Sequence, residues 1–402
     1  MKLFSMEKDK YTSMALCLLM SLVSLATSLN GIAAGVLGTK FLIGTVIVYG
    51  AYFFFLIMSL VSNKFAIKNI VLGFIIFFAV VAAISLWCNP DIDKYIHGTA
   101  TQTRFERPIF IFFAYTFSGF VLATYLNGYD LLCKYMERFS YAVIVTAFLY
   151  YFFFKDDELS KYYMTFSYNM LIHVVFITLL GIKEFKIGRF ICACAGCILL
   201  LVAGCRGALV SYLMCVALYI LTYSFNSVYK KMLVLLITAS LIWLVYAYFE
   251  EIILFINKQL INMNITSRTI IKLIDEDFTG DSGRSLIQNS LLTNLNPLGH
   301  GFFADRIKTG SYAHNLVIEY IYTFGIVGGG ILLAAVFITV LRGWMNTKDN
   351  NRILLIAFIS AGIFKLMFSG SFLNQEPGFY ALIGLCISFI KYNKKREEII
   401  TA

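Results

Sequence analysis

The chain has 402 residues, 59% hydrophobic and 14% charged, with a formal net charge of +10. Soluble domains run near 45–50% apolar and about 25% charged, so an ordinary soluble enzyme is excluded, and four prolines without a Ser/Gly-rich tract argue against long disordered linkers. The basic excess sits in short clusters between apolar runs, as in the cytoplasmic loops of a membrane protein, and no basic stripe with interleaved aromatics suggests nucleic acid.

Twelve apolar runs follow one another, at about 12–30, 41–62, 67–87, 108–126, 139–154, 167–182, 187–204, 207–225, 231–249, 314–341, 353–370 and 376–390. A membrane helix needs roughly 20 residues. Most runs are apolar all round, so length rather than periodicity makes them helices. The expectation is an all-α polytopic membrane protein, a single transmembrane domain over residues 1–402 with about 12 spans. The first run follows Lys2, Lys8 and Lys10 as a signal peptide would, but with eleven runs behind it the reading is a retained first span. If the N-terminus is cytoplasmic, the inner segments carry 19 Lys and Arg against seven in the short outer segments. That bias predicts both termini inside and residues 250–313 outside, between spans nine and ten.

Residues 250–313 form the one sizeable hydrophilic segment, with six basic and seven acidic side chains. Sixty-four residues exceed what a connector requires, and long loops usually carry function, so the chemistry is expected there. The nine cysteines fall mainly inside apolar runs. Cys192, Cys194 and Cys197 have metal-like spacing but no neighbouring His or acid, and read as small residues at a helix contact.

Several residues could carry chemistry. Arg206 lies between two apolar runs and is either a snorkelling arginine or a guanidinium that binds phosphate oxygens at the outer surface. Gly283 precedes a second cation, Arg284, in a Gly-Asp-Ser-Gly-Arg turn. His300, between Gly299 and Gly301, reads as a turn residue. His314, followed by Asn315, stands where the long loop re-enters the membrane. It is either a general base, neutral near pH 7, or an interfacial histidine capping a helix. Glu319 lies roughly 140° around a helix from His314, on the face of Asn315. Lys365 is an intramembrane charge, functional or snorkelling, and His173 reads as a hydrogen-bonded histidine facing the bundle. Asp91-Ile92-Asp93 and Asp275-Glu276-Asp277 match the short acidic pattern of metal-dependent sugar transferases, and are read as solvated loop acids. No metal and no cofactor are expected.

Arg206-Gly207-Ala208, then Gly283-Arg284, Pro297-Leu298-Gly299-His300-Gly301, His314-Asn315 and Gly325-Ile326-Val327-Gly328, in this order across residues 200–330, resemble the O-antigen polymerase and ligase family of bacterial inner-membrane proteins. The resemblance implies a metal-independent glycosyltransferase acting on the periplasmic face upon undecaprenyl-diphosphate-linked oligosaccharides, as donor and acceptor. His314 would be the catalytic base. Arg206 and Arg284 would bind the donor diphosphate, with Gly283 and Asn315 as further substrate-binding positions. A chain-length regulator is a candidate partner beside the lipid bilayer, and nucleic acid is not. The Ser282-Gly283-Arg284 and Tyr312-Ala313-His314-Asn315 versions favour a polymerase over a ligase that transfers glycan to lipid A core. A flippase for the same lipid-linked unit is the alternative from another class, disfavoured by a midplane nearly bare of charge.

Overall fold

The computed structural model describes residues 2–38, 42–96, 108–154, 163–203, 205–222, 248–262, 283–347, 349–374 and 376–401, with isolated positions between 229 and 274, and among them it is helical with no strand. Six helices are long and apolar enough to cross a membrane: Lys8–Leu37, Ile43–Ser62, Asn69–Cys88, Met164–Glu184, Leu316–Met345 and Asn350–Phe368. Three shorter apolar helices, Phe112–Tyr125, Ile187–Val202 and Arg206–Thr222, occupy further runs. The run at 139–154 belongs to helix Asp130–Leu149 and the π-helical turn after it, and the run at 376–390 to helix Pro377–Thr401. Nearly all of the run at 231–249 lies outside the described residues.

Lipid is the natural solvent for this surface. Asn69–Cys88 and Leu316–Met345 bury only 17% and 11% of their most apolar stretch against protein. Trp87, Ile331 and Phe337 are among the exposed side chains, and contiguous apolar patches of this kind mark membrane or protein contacts. The chain is a helical, membrane-embedded protein.

The chain divides into two compact units, one of residues 1–22, 49–136 and 281–402, the other of residues 23–48 and 137–280. In the first unit, helix Pro377–Thr401 packs against Ser118–Tyr125, Leu316–Met345 and Asp349–Ile359. Its core is aromatic: Phe78, Phe117, Phe120, Phe302, Phe372 and Tyr380 are buried in one cluster, with Phe78 and Phe302 ring centroids 5.5 Å apart. Such pairs contribute about 0.5–1.5 kcal/mol each beyond the area they bury. Between helices Lys365–Phe368 and Pro377–Thr401 the backbone leaves the helix, starting at extended Ser369. There the Tyr380 hydroxyl donates to the Phe372 carbonyl at 2.8 Å.

In the second unit, helix Tyr163–Glu184 packs on Ile187–Val202 and Arg206–Thr222. Arg189 joins the helix ends, with Nη2 2.7 Å from Glu137 and Nη1 2.7 Å from Glu184. His173 is fully buried, its Nδ1 3.2 Å from the Ser140 hydroxyl.

Candidate functional site

The hydrophilic segment entering helix Leu316–Met345 is built on backbone contacts only glycine permits. Gly325 adopts φ 80° and ψ 167°, which breaks the helix ladder. The carbonyls of Tyr322 and Thr323, just before the break, accept the N–H groups of His300 and Gly301, each at 2.9 Å. Gly299, at φ 80°, lies so close that a Cβ there would stand 2.4 Å from the Gly325 nitrogen. The two glycine motifs of the sequence are thus two halves of one backbone junction. His300 is a turn residue, stacked on Tyr322 at 4.3 Å, with its Nε2–H donating to the Asn294 carbonyl at 2.7 Å.

His314 sits outside the helix. The cap is Asn315, whose side-chain oxygen accepts the Val317 and Ile318 N–H groups at 3.0 and 3.2 Å. The capping alternative for His314 therefore falls to its neighbour, whose oxygen is committed to the helix. His314 itself takes the left-handed conformation, φ 54°, which costs of order 1–3 kcal/mol in a residue with a Cβ. Its Nδ1 is buried without a hydrogen-bond partner among the described residues, while Nε2 stands 3.5 Å from Ser311 Oγ. Burial, and then the charge of Arg284, push its pKa down from 6.5 to about 4. The imidazole is neutral at pH 7.

Arg284 opens helix Arg284–Leu292 directly after Gly283, which holds φ 82°. Its Nη1 donates to the Phe368 carbonyl at 2.7 Å, at the end of helix Lys365–Phe368. His314 and Arg284 thus belong to one unit, close enough for the arginine to act on the imidazole. Arg206 belongs to the other unit, half-buried at the start of helix Arg206–Thr222.

Sequence reasoning passed over the buried charges that support this corner. Asp305 is 2% exposed. One carboxylate oxygen accepts the Arg306 N–H at 2.9 Å and the other accepts the Ala313 N–H at 3.1 Å, next to His314. The Arg306 guanidinium lies 4.6 Å from the Phe303 ring centroid and donates from Nη2 to Ser371 Oγ at 3.0 Å. Ser371 in turn donates to Glu319, which is fully buried and also accepts the Phe372 N–H at 3.3 Å. Glu319 therefore orients the 371–372 segment, not His314. Arg306 and Glu319 are thus linked through the Ser371 hydroxyl, and buried polar groups of this kind require partners. The available signal was the apolar triplet Phe302-Phe303-Ala304 abutting Asp305-Arg306, a pattern a solvated loop does not need.

Lys365 does not snorkel; its ammonium pairs with the buried Glu376 carboxylate at 2.6 Å. Asp91 and Asp93 fall in short helical turns after Asn69–Cys88, while Gly280, Asp281, Ser282 and the Asp275–Asp277 triplet lie outside the described residues. Among the described residues no three His, Cys, Asp or Glu side chains group as ligands for a metal. No protein-family model, curated protein or solved structure matches the chain significantly.

Proposed function

We propose that the chain is a bacterial inner-membrane glycosyltransferase that polymerises undecaprenyl-diphosphate-linked oligosaccharide repeat units into O-antigen or a related surface polysaccharide on the periplasmic face. One observation carries the reading: a neutral, half-buried histidine in a left-handed backbone conformation, with one ring nitrogen unpartnered among the described residues and the charge of Arg284 acting on it. Residues held in sparsely populated backbone regions cluster at active sites. The order of the Arg-Gly, Gly-Arg, Pro-Leu-Gly-His-Gly and His-Asn motifs supplies the substrate class.

The neutral imidazole keeps a lone pair on one ring nitrogen, which takes the proton of the acceptor sugar hydroxyl. The acceptor oxygen bonds to the anomeric carbon as the bond from that carbon to the diphosphate oxygen breaks, and the electron pair leaves on the diphosphate. Arg284 stabilises that charge. Fixed cations suit the task because preorganised charges aimed at a developing anion act without reorganisation, and a diphosphate is already a good leaving group. A positioned base contributes typically 10²–10⁴-fold.

The test is the lipopolysaccharide gel of a strain lacking this protein, rescued with wild type or His314→Ala at matched protein levels. Core bearing a single repeat unit in the deletion, unrelieved by His314→Ala, is the expected result. Bare core with polymer retained on its lipid carrier would make it a ligase. Repeat units trapped on the cytoplasmic face would make it a flippase.

A further inference from the structure

The first unit holds an open cleft of about 860 Å3, within the roughly 300–1,000 Å3 usual for small-molecule sites. Its walls are the end of helix Asn69–Cys88, the Asn296–Gly301 turn, helix Ala304–Thr309 and the Tyr322–Phe324 stretch. These walls are mutually fixed. The Gly299–Gly325 junction locks the turn to the long helix, and the Phe302 N–H donates to Ser85 Oγ at 2.9 Å, tying the turn to helix Asn69–Cys88.

The lining is mostly apolar, with a few polar groups among it. Asn89 and Asn296 each commit the side-chain oxygen to a local turn, accepting the N–H of Asp91 at 3.2 Å and of Leu298 at 3.0 Å. Their Nδ2 groups donate to nothing among the described residues. Lys308 adds an exposed ammonium, and the stacked His300–Tyr322 pair adds aromatic surface. A cleft whose walls are largely apolar and aromatic and which carries a few amide and ammonium donors suits a ligand that presents both ring faces and hydroxyl and ring oxygens, as a saccharide does.

Its location ties it to His314. Helix Ala304–Thr309 offers Lys308 to the cleft and Asp305 to Ala313, and Ala304 and Tyr322, which line the cleft, pack in one buried cluster with Ala313. We propose that this cleft binds the saccharide portion of the lipid-linked substrate, at sugar residues one helix away from the reacting one. The inference rests on the glycosyltransferase reading for its ligand class. Binding energy gathered at such a distance from the reacting bond holds the substrate in place for the chemical step.

The experiment is direct binding, followed by saturation-transfer NMR, of the free repeat-unit oligosaccharide, released by mild acid from the host's undecaprenyl-diphosphate-linked intermediate, to the full-length protein in zwitterionic nanodiscs. Asn89→Asp, Asn296→Asp and Lys308→Gln are combined, because aspartate keeps the turn-capping oxygen while removing the donor. Wild type and His314→Ala should bind alike, and the triple variant, with unchanged melting temperature, at least tenfold more weakly. Wild-type affinity in a folded triple variant, or no binding by wild type, overturns the proposal. Turnover decides the base assignment separately: His314→Ala that binds but does not polymerise supports both, while His314→Ala that polymerises sinks only the base.

Discussion

Asp305→Ala probes the support of His314 without touching the imidazole. The Asp305 carboxylate accepts the Ala313 N–H at 3.1 Å, and Ala313 is fully buried. Truncation leaves that N–H without its acceptor, a penalty of about 1–3 kcal/mol. The backbone can escape it only by moving, and the next residue is the one holding φ 54°. A misplacement of about 1 Å at a catalytic group can cost on the order of 10²-fold, so kcat should fall about 10–100-fold. Asp305→Asn, which keeps one acceptor oxygen, should lie between. The assay is single-turnover polymerisation by purified protein in nanodiscs at matched concentration. In the His314→Ala background Asp305→Ala should add little, because it acts through the group already removed. An equal loss in both backgrounds, or wild-type turnover in Asp305→Ala, refutes the reasoning.

Four further outcomes follow from the same geometry. Lys365→Met leaves the Glu376 carboxylate buried and unpaired, a loss of about 3–5 kcal/mol, read as a lowered melting temperature in detergent; Lys365→Met with Glu376→Gln should recover most of it. Gly325→Ala should fail to give folded protein, since a Cβ there would lie 2.0 Å from the Pro297 carbonyl oxygen; normal levels and melting would contradict the junction. The acid limb of kcat/KM should lie near pH 4 rather than 6.5, because the base works only while neutral and is protonated as pH falls through about 4. The same depressed pKa means the unfolded chain takes up the proton first, so stability is full above about 6.5 and declines towards pH 4.

The sequence made plain what depends on local composition. Apolar length marked the helical, membrane-embedded character of the chain, with six helices among the described residues long and apolar enough to cross a bilayer. His314 stood out as one of four histidines, at a loop–span junction, and the glycine motifs marked where backbones meet. What stayed hidden depends on long-range pairing. Arg306 and Ser371 are 65 residues apart and Glu319 and Ser371 are 52 apart, and no local pattern announces such partners. Asn315 took the cap because its short oxygen reaches the N–H groups two and three residues on, which two adjacent polar residues do not reveal. The hydrophilic segment also proved to contain helices Phe249–Asn262, Arg284–Leu292 and Ala304–Thr309. The last is only six residues long, and its buried Asp305 and Arg306 side chains are tied to Ala313 and Ser371, partners that helical periodicity does not reveal.

The central claim is that His314 removes a proton from an acceptor hydroxyl in a reaction that joins lipid-linked glycans. Its most direct test supplies purified protein in nanodiscs with an undecaprenyl-diphosphate-linked repeat unit as the only substrate and resolves the products by length. A ladder from wild type, lowered by 10²–10⁴-fold in folded His314→Ala, is the predicted result. A full ladder from His314→Ala, or none from wild type, would contradict it.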